Sequence, residues 1–91
     1  MNIPEGFYQF SGFLYPGSLH EYDSQDEWIA ANLGWLSAQD RMEIKRFLDG
    51  VLDGPYSDAE LADIWNCTGP VYNFRPRDHR LFFAMIRDLI K

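Results

Sequence analysis

Ser37-Ala-Gln-Asp-Arg-Met-Glu-Ile-Lys-Arg-Phe-Leu-Asp-Gly-Val-Leu-Asp-Gly54 is the stretch that decides the fold. It opens on Ser37-x-x-Asp40, a capping-box variant whose hydroxyl is placed to accept an orphan backbone N–H. Ile44, Phe47, Leu48, Val51 and Leu52 then recur at helical spacing and form one apolar stripe. Gly54 and Pro55 end it, because glycine suits the residue after a helix and proline cannot continue one. Residues 37–53 therefore read as a helix, and the rest of the chain can be read outward from it.

Immediately upstream, residues 24–36 read as a second helix. Ser24 is placed to cap it, and Asp26 and Glu27 fill the first turn, where the helix dipole favours negative charge. Ile29, Leu33 and Leu36 follow one ridge, and Trp28, Ala31 and Trp35 a second. Together they cover more than half the circumference, so this helix is expected to be central, with Trp28 and Trp35 both in the core. With Ser37 directly after Leu36, the two helices should meet in a tight corner.

Downstream, Ser57-Asp-Ala-Glu60 repeats the capping signature in its S-x-x-E form. Leu61, Ile64 and Trp65 follow on one face, and Asn66-Cys-Thr-Gly-Pro70 marks the end. After an extended connector at 71–75, Pro76 suits the first position of a last helix, with Leu81, Phe82, Met85, Ile86, Leu89 and Ile90 as its stripe. Residues 1–19 mix Phe7, Tyr8, Phe10, Phe13, Leu14 and Tyr15 with Gly6, Gly12, Pro16 and Gly17 and show no clean period. A short helix and a short strand at 7–15 both remain open there. The expected fold is all-α, a compact four-helix domain with an aromatic-rich N-terminal arm. Two β-like pieces, 7–10 and 71–74, leave an α+β variant open.

The 91 residues suffice for a single domain, 1–91, and the 15 aromatic residues argue against disorder. One cysteine excludes an internal disulfide and a cysteine-based zinc site. No apolar run approaches the roughly 20 residues of a membrane span, and the N-terminus lacks a basic region followed by an apolar one. A cytoplasmic protein is therefore expected. The net charge of −6 argues against nucleic acid, whose phosphates require clustered Lys and Arg.

Little in the chain suggests chemistry. Cys67 follows a helix end, where the dipole disfavours a thiolate, and reads as a small, semi-buried residue. His79 reads as a surface or packing residue in the first turn of the last helix. His20-Glu-Tyr-Asp23 lacks the spacing of a metal site. Phosphate-loop, dinucleotide, zinc-protease and nucleophile-elbow motifs are all missing. Neither an enzyme, nor a cofactor or metal, nor a small-molecule ligand is expected.

Charge is the remaining signal. Residues 1–70 carry 12 acids against 3 bases, a balance of −9, and residues 71–91 carry 2 against 5, a balance of +3. Arg87 and Lys91 suit a helix C-terminus, whereas Arg75, Arg77 and Arg80 lie at a helix start and require acidic partners elsewhere. Four acids fall at Glu21, Asp23, Asp26 and Glu27, while Asp49, Asp53 and Asp58 gather around the end of the 37–53 helix. Asp49 and Asp53 form an i, i+4 like-charge pair, and Asp53 sits at the helix end that disfavours an anion. Either these charges maintain solubility, or they form a surface that meets a basic partner.

The order of features resembles the small helical immunity proteins of bacterial contact-dependent growth inhibition systems. The pieces that carry the resemblance are Phe10-Ser-Gly-Phe-Leu-Tyr15, Glu21-Tyr-Asp23, Trp28, Phe47-Leu-Asp-Gly-Val-Leu-Asp53, Ser57-Asp-Ala-Glu-Leu61 and the helix at 76–90. The resemblance implies a cytosolic protein that binds and blocks the toxic domain of a cognate effector. Many such toxins are nucleases and must be basic, so an acidic inhibitor can occupy their phosphate-binding surface. On that reading the partner-binding residues are Glu21, Asp23, Asp26 and Glu27, then Asp49, Asp53 and Asp58, with Tyr22 as an aromatic anchor.

Overall fold

Serine caps set the start of three consecutive helices in the computed structural model, which describes residues 2–70 and 78–90. Ser24 precedes α2 (Gln25–Leu33), Ser37 precedes α3 (Ala38–Asp53) and Ser57 precedes α4 (Asp58–Cys67). Each serine has extended backbone, and its Oγ accepts the N–H three residues on, at 3.1–3.2 Å. At Ser57 the box is complete, because Glu60 Oε1 accepts the serine N–H at 3.0 Å. The last helix, α5 (His79–Leu89), follows residues outside the description, where the expected Pro76 start and the 71–74 segment lie.

The N-terminal segment departs from the expected arm. Residues Glu5–Phe13 form a helix, α1, followed by a 3-10 helix at Pro16–Glu21. The described residues are thus all-α, with five α-helices rather than four and no strand, and 7–10 is helical rather than β-like. Phe7 explains the difference. Its ring is fully buried and meets Phe47 of α3 at 5.8 Å, Trp65 of α4 at 5.6 Å and Phe83 of α5 at 5.8 Å. An aromatic in contact with three other helices stabilises a segment whose own periodicity is weak, so tertiary packing overrides local pattern. Gly6 permits the approach, since a Cβ there would stand 3.0 Å from the Asp40 Cβ.

The core joins Phe7, Phe10 and Leu14 to Trp28, Ile29, Leu33, Leu36, Ile44, Leu48, Val51, Leu61, Ile64 and Trp65, with Phe82, Phe83, Ile86 and Ile90 from the C-terminal end. Two placements differ from expectation. Trp35 is 76% exposed rather than buried, because α2 ends at Leu33, short of the expected Leu36. The chain then tightens into i→i−3 bonds, Trp35 N–H to Asn32 and Leu36 N–H to Leu33, and Leu36 takes the inward place. Leu81 is likewise 73% exposed, and the buried face of α5 is His79, Phe82, Phe83 and Ile86. That face is rotated from the expected stripe and gains Phe83, whose ring meets Phe7, Trp65 and the buried His79 edge-on.

Polar groups fasten the corners. Arg41 Nη1 of α3 donates to the carbonyls of Leu36 at 2.5 Å and Leu33 at 3.3 Å, capping the end of α2. Trp28 Nε1 donates to Ser18 Oγ at 2.8 Å, and Ser18 donates on to the Tyr15 carbonyl at 2.7 Å. The buried Ser11 hydroxyl faces the carbonyls of Tyr8 at 2.9 Å and Thr68 at 3.3 Å, tying α1 to the end of α4. No helix among the described residues is long and apolar enough to cross a membrane.

Candidate partner interface

Glu21, Asp23, Asp26 and Glu27 come together where the 3-10 helix hands over to α2, and all four are exposed. The local order follows from the cap. Ser24 Oγ accepts the Glu27 N–H at 3.2 Å, and Glu27 Oε2 accepts the Asp23 N–H at 3.3 Å, so side chain and backbone clasp each other across the helix start. Asp26 and Glu27 lie in the first turn, where aligned peptide dipoles favour anions. None of the four forms an ion pair with a described Lys or Arg. Tyr22 is half-buried and packs against the core, so its ring already holds the 3-10 helix in place.

The second group is electrostatically different. Asp49 Oδ1 lies 3.8 Å from Arg87 Nε, and Asp58 Oδ1 lies 3.3 Å from Arg80 Nε. Arg80 also donates from Nη2 to the Tyr56 carbonyl at 2.6 Å. The acidic partner expected for Arg80 is thus Asp58, whereas Arg75 and Arg77 lie outside the described residues. Asp49, one member of the i, i+4 like-charge pair, thus has a cation of α5 opposite it, so a contact within the fold accounts for its charge. Asp53 alone of the three is exposed without an ion pair among the described residues.

Cys67 is exposed rather than semi-buried, on the last turn of α4. It lines a groove of about 410 Å³ with Ile3, Tyr8, Tyr56, Glu60, Asp63 and Ile64. This groove was not anticipated from the sequence. A signal for it exists in the spacing of Glu60, Asp63, Ile64 and Cys67 at i, i+3, i+4 and i+7, one face of α4 that is only partly apolar. Among the described residues no three His, Cys, Asp or Glu side chains are grouped to hold a metal, and His20 stands exposed at the acidic surface. Comparison with family models, with curated proteins and with solved structures finds no match for the chain.

Proposed function

We propose that the chain is an immunity-type inhibitor that binds the basic toxin domain of a cognate effector and occludes its active or substrate-binding surface. The observation that carries this reading is the exposed set of four carboxylates around the start of α2, which Ser24 caps and where Glu27 accepts the Asp23 N–H, a set without a Lys or Arg partner among the described residues. Such a surface attracts a basic protein from a distance and fixes its approach. The resemblance in the order of sequence features points the same way. On this reading the protein works in the cytoplasm, catalyses nothing and requires no cofactor.

On this reading a large secreted effector should be encoded directly upstream of the chain, and the test is co-purification with that effector's C-terminal domain. A stoichiometric complex supports the reading, and its absence at micromolar concentration sinks it. Reversal of Asp23, Asp26 and Glu27 to Lys should leave the helical fold intact and weaken the complex strongly. Unchanged affinity would move the interface to Asp53 and its neighbours.

A second reading, a regulatory interaction module that pairs through its N-terminal helix, is favoured by the exposure of Tyr8, Phe13 and Tyr15. Sedimentation of the isolated chain separates the two, because only this reading requires a dimer.

A further inference from the structure

The groove along α4 combines features that the acidic surface at α2 lacks. Tyr8 of α1 and Tyr56 of the α3–α4 turn contribute rings to its lining, Ile3 and the buried Ile64 contribute aliphatic surface, and Glu60 and Asp63 contribute carboxylates. Glu60 is fixed in place, because its Oε1 accepts the Ser57 N–H at 3.0 Å and leaves the second oxygen outside that bond. Asp63 is exposed and one helical turn further on, so the two carboxylates are neighbours on the helix surface. No Lys or Arg lines the groove among the described residues, and the nearby Arg80 is engaged by Asp58 and the Tyr56 carbonyl.

Tyrosines and carboxylates lining one groove, together with aliphatic side chains, match an arginine side chain well. A guanidinium stacks on a tyrosine ring and presents a planar fork to carboxylates, while its methylene stem covers apolar surface. Lysine offers a point charge without the fork. The volume of about 410 Å³ falls within the roughly 300–1,000 Å³ of ligand sites and exceeds what one side chain fills. Residues flanking the arginine therefore have room as well.

We infer that the α4 groove receives an arginine side chain, with its flanking residues, from an extended basic segment of a partner protein. The inference rests on the proposed reading of a basic partner and deepens it by naming a second point of contact. An arginine buried against tyrosines is the kind of contact that dominates a protein interface, with the carboxylates at α2 steering the approach.

Cys67 makes the test direct, because it lines the groove and is the chain's one thiol. The rate at which neutral methyl methanethiosulfonate modifies Cys67 is measured alone and with tetra-arginine amide, tetra-glutamate or free arginine amide. Tetra-arginine amide at millimolar concentration should slow modification several-fold, and tetra-glutamate should not. Asp63→Asn and Tyr8→Leu should each abolish the protection, with unchanged far-ultraviolet dichroism and urea midpoint showing that the fold is intact. No protection by tetra-arginine amide overturns the inference, as does protection that survives both substitutions. Equal protection by free arginine amide overturns the assignment to a protein segment. A chain protected by tetra-arginine that forms no complex with the effector domain keeps the groove and loses the toxin reading. One that forms the complex without showing protection loses the groove alone.

Discussion

Asp49 on α3 and Arg87 on α5 face each other across the junction of their helices, with 3.8 Å between Oδ1 and Nε. Arg87 is shared, since Nε also lies 3.2 Å from its neighbour Asp88. A half-exposed pair of this kind contributes modestly to stability, about 0.2–1 kcal/mol. A double-mutant cycle with Asp49→Asn and Arg87→Gln in urea should return a coupling energy in that range. High salt should erase it. Zero coupling at low salt would return Asp49 to the set of acids available to a partner.

Trp28 and Trp35 should behave oppositely. Truncation of the fully buried Trp28 to Ala should cost about 3–5 kcal/mol, whereas Trp35→Ala should shift stability by about 0.5 kcal/mol or less. Ser18→Ala, which takes the acceptor from the Trp28 indole N–H, should cost about 1–3 kcal/mol. Urea melts of the three variants check all of this.

Two glycines of α1 should respond to alanine with opposite signs. At Gly12 an added Cβ meets nothing within 4 Å, so Gly12→Ala should stabilise by about 0.5–1 kcal/mol through helix propensity. At Gly6 the new methyl would press on the Asp40 Cβ at 3.0 Å, and Gly6→Ala should lower the thermal midpoint instead. A rise at both sites would mean that α1 does not seat against α3 as closely as described.

The caps are separable from the surface they display. Ser57→Ala removes the acceptor for the Glu60 N–H and should cost about 1 kcal/mol. Ser24→Ala should cost a similar amount, and hydrogen exchange should rise at Glu27, whose N–H loses its acceptor. Uniform exchange across the chain in both variants would show that helix starts do not open locally.

The three central helices were legible because each announces itself with a serine cap and a repeating apolar face. Ser24, Ser37 and Ser57 all cap where the pattern placed them. Helix α1 was not legible, because Gly6 and Gly12 dilute its pattern and its stability lies in what Phe7 touches on α3, α4 and α5. Trp35 and Leu81 were misplaced for a geometric reason. A ridge drawn on an ideal helix continues past the point where α2 tightens, and two adjacent apolar residues on α5 leave its rotation undetermined. Among the acids, local sequence could mark the cluster at Glu21–Glu27 but not the engagement of Asp49 and Asp58, whose partners lie 38 and 22 residues away in the chain. The groove stayed hidden because its walls come from three separate segments.

The exposure of Trp35 gives the chain a built-in optical contrast. Trp28 and Trp65 are shielded completely, and Trp65 lies 5.1 Å from the Phe82 ring, while the Trp35 indole stands in solvent beside the corner that Arg41 closes. Acrylamide should therefore quench one emitter in the native protein and spare two, and the red edge of the emission belongs to Trp35. A partner that covers the α2–α3 corner would shift that red component alone, so its arrival can be watched without attaching a dye.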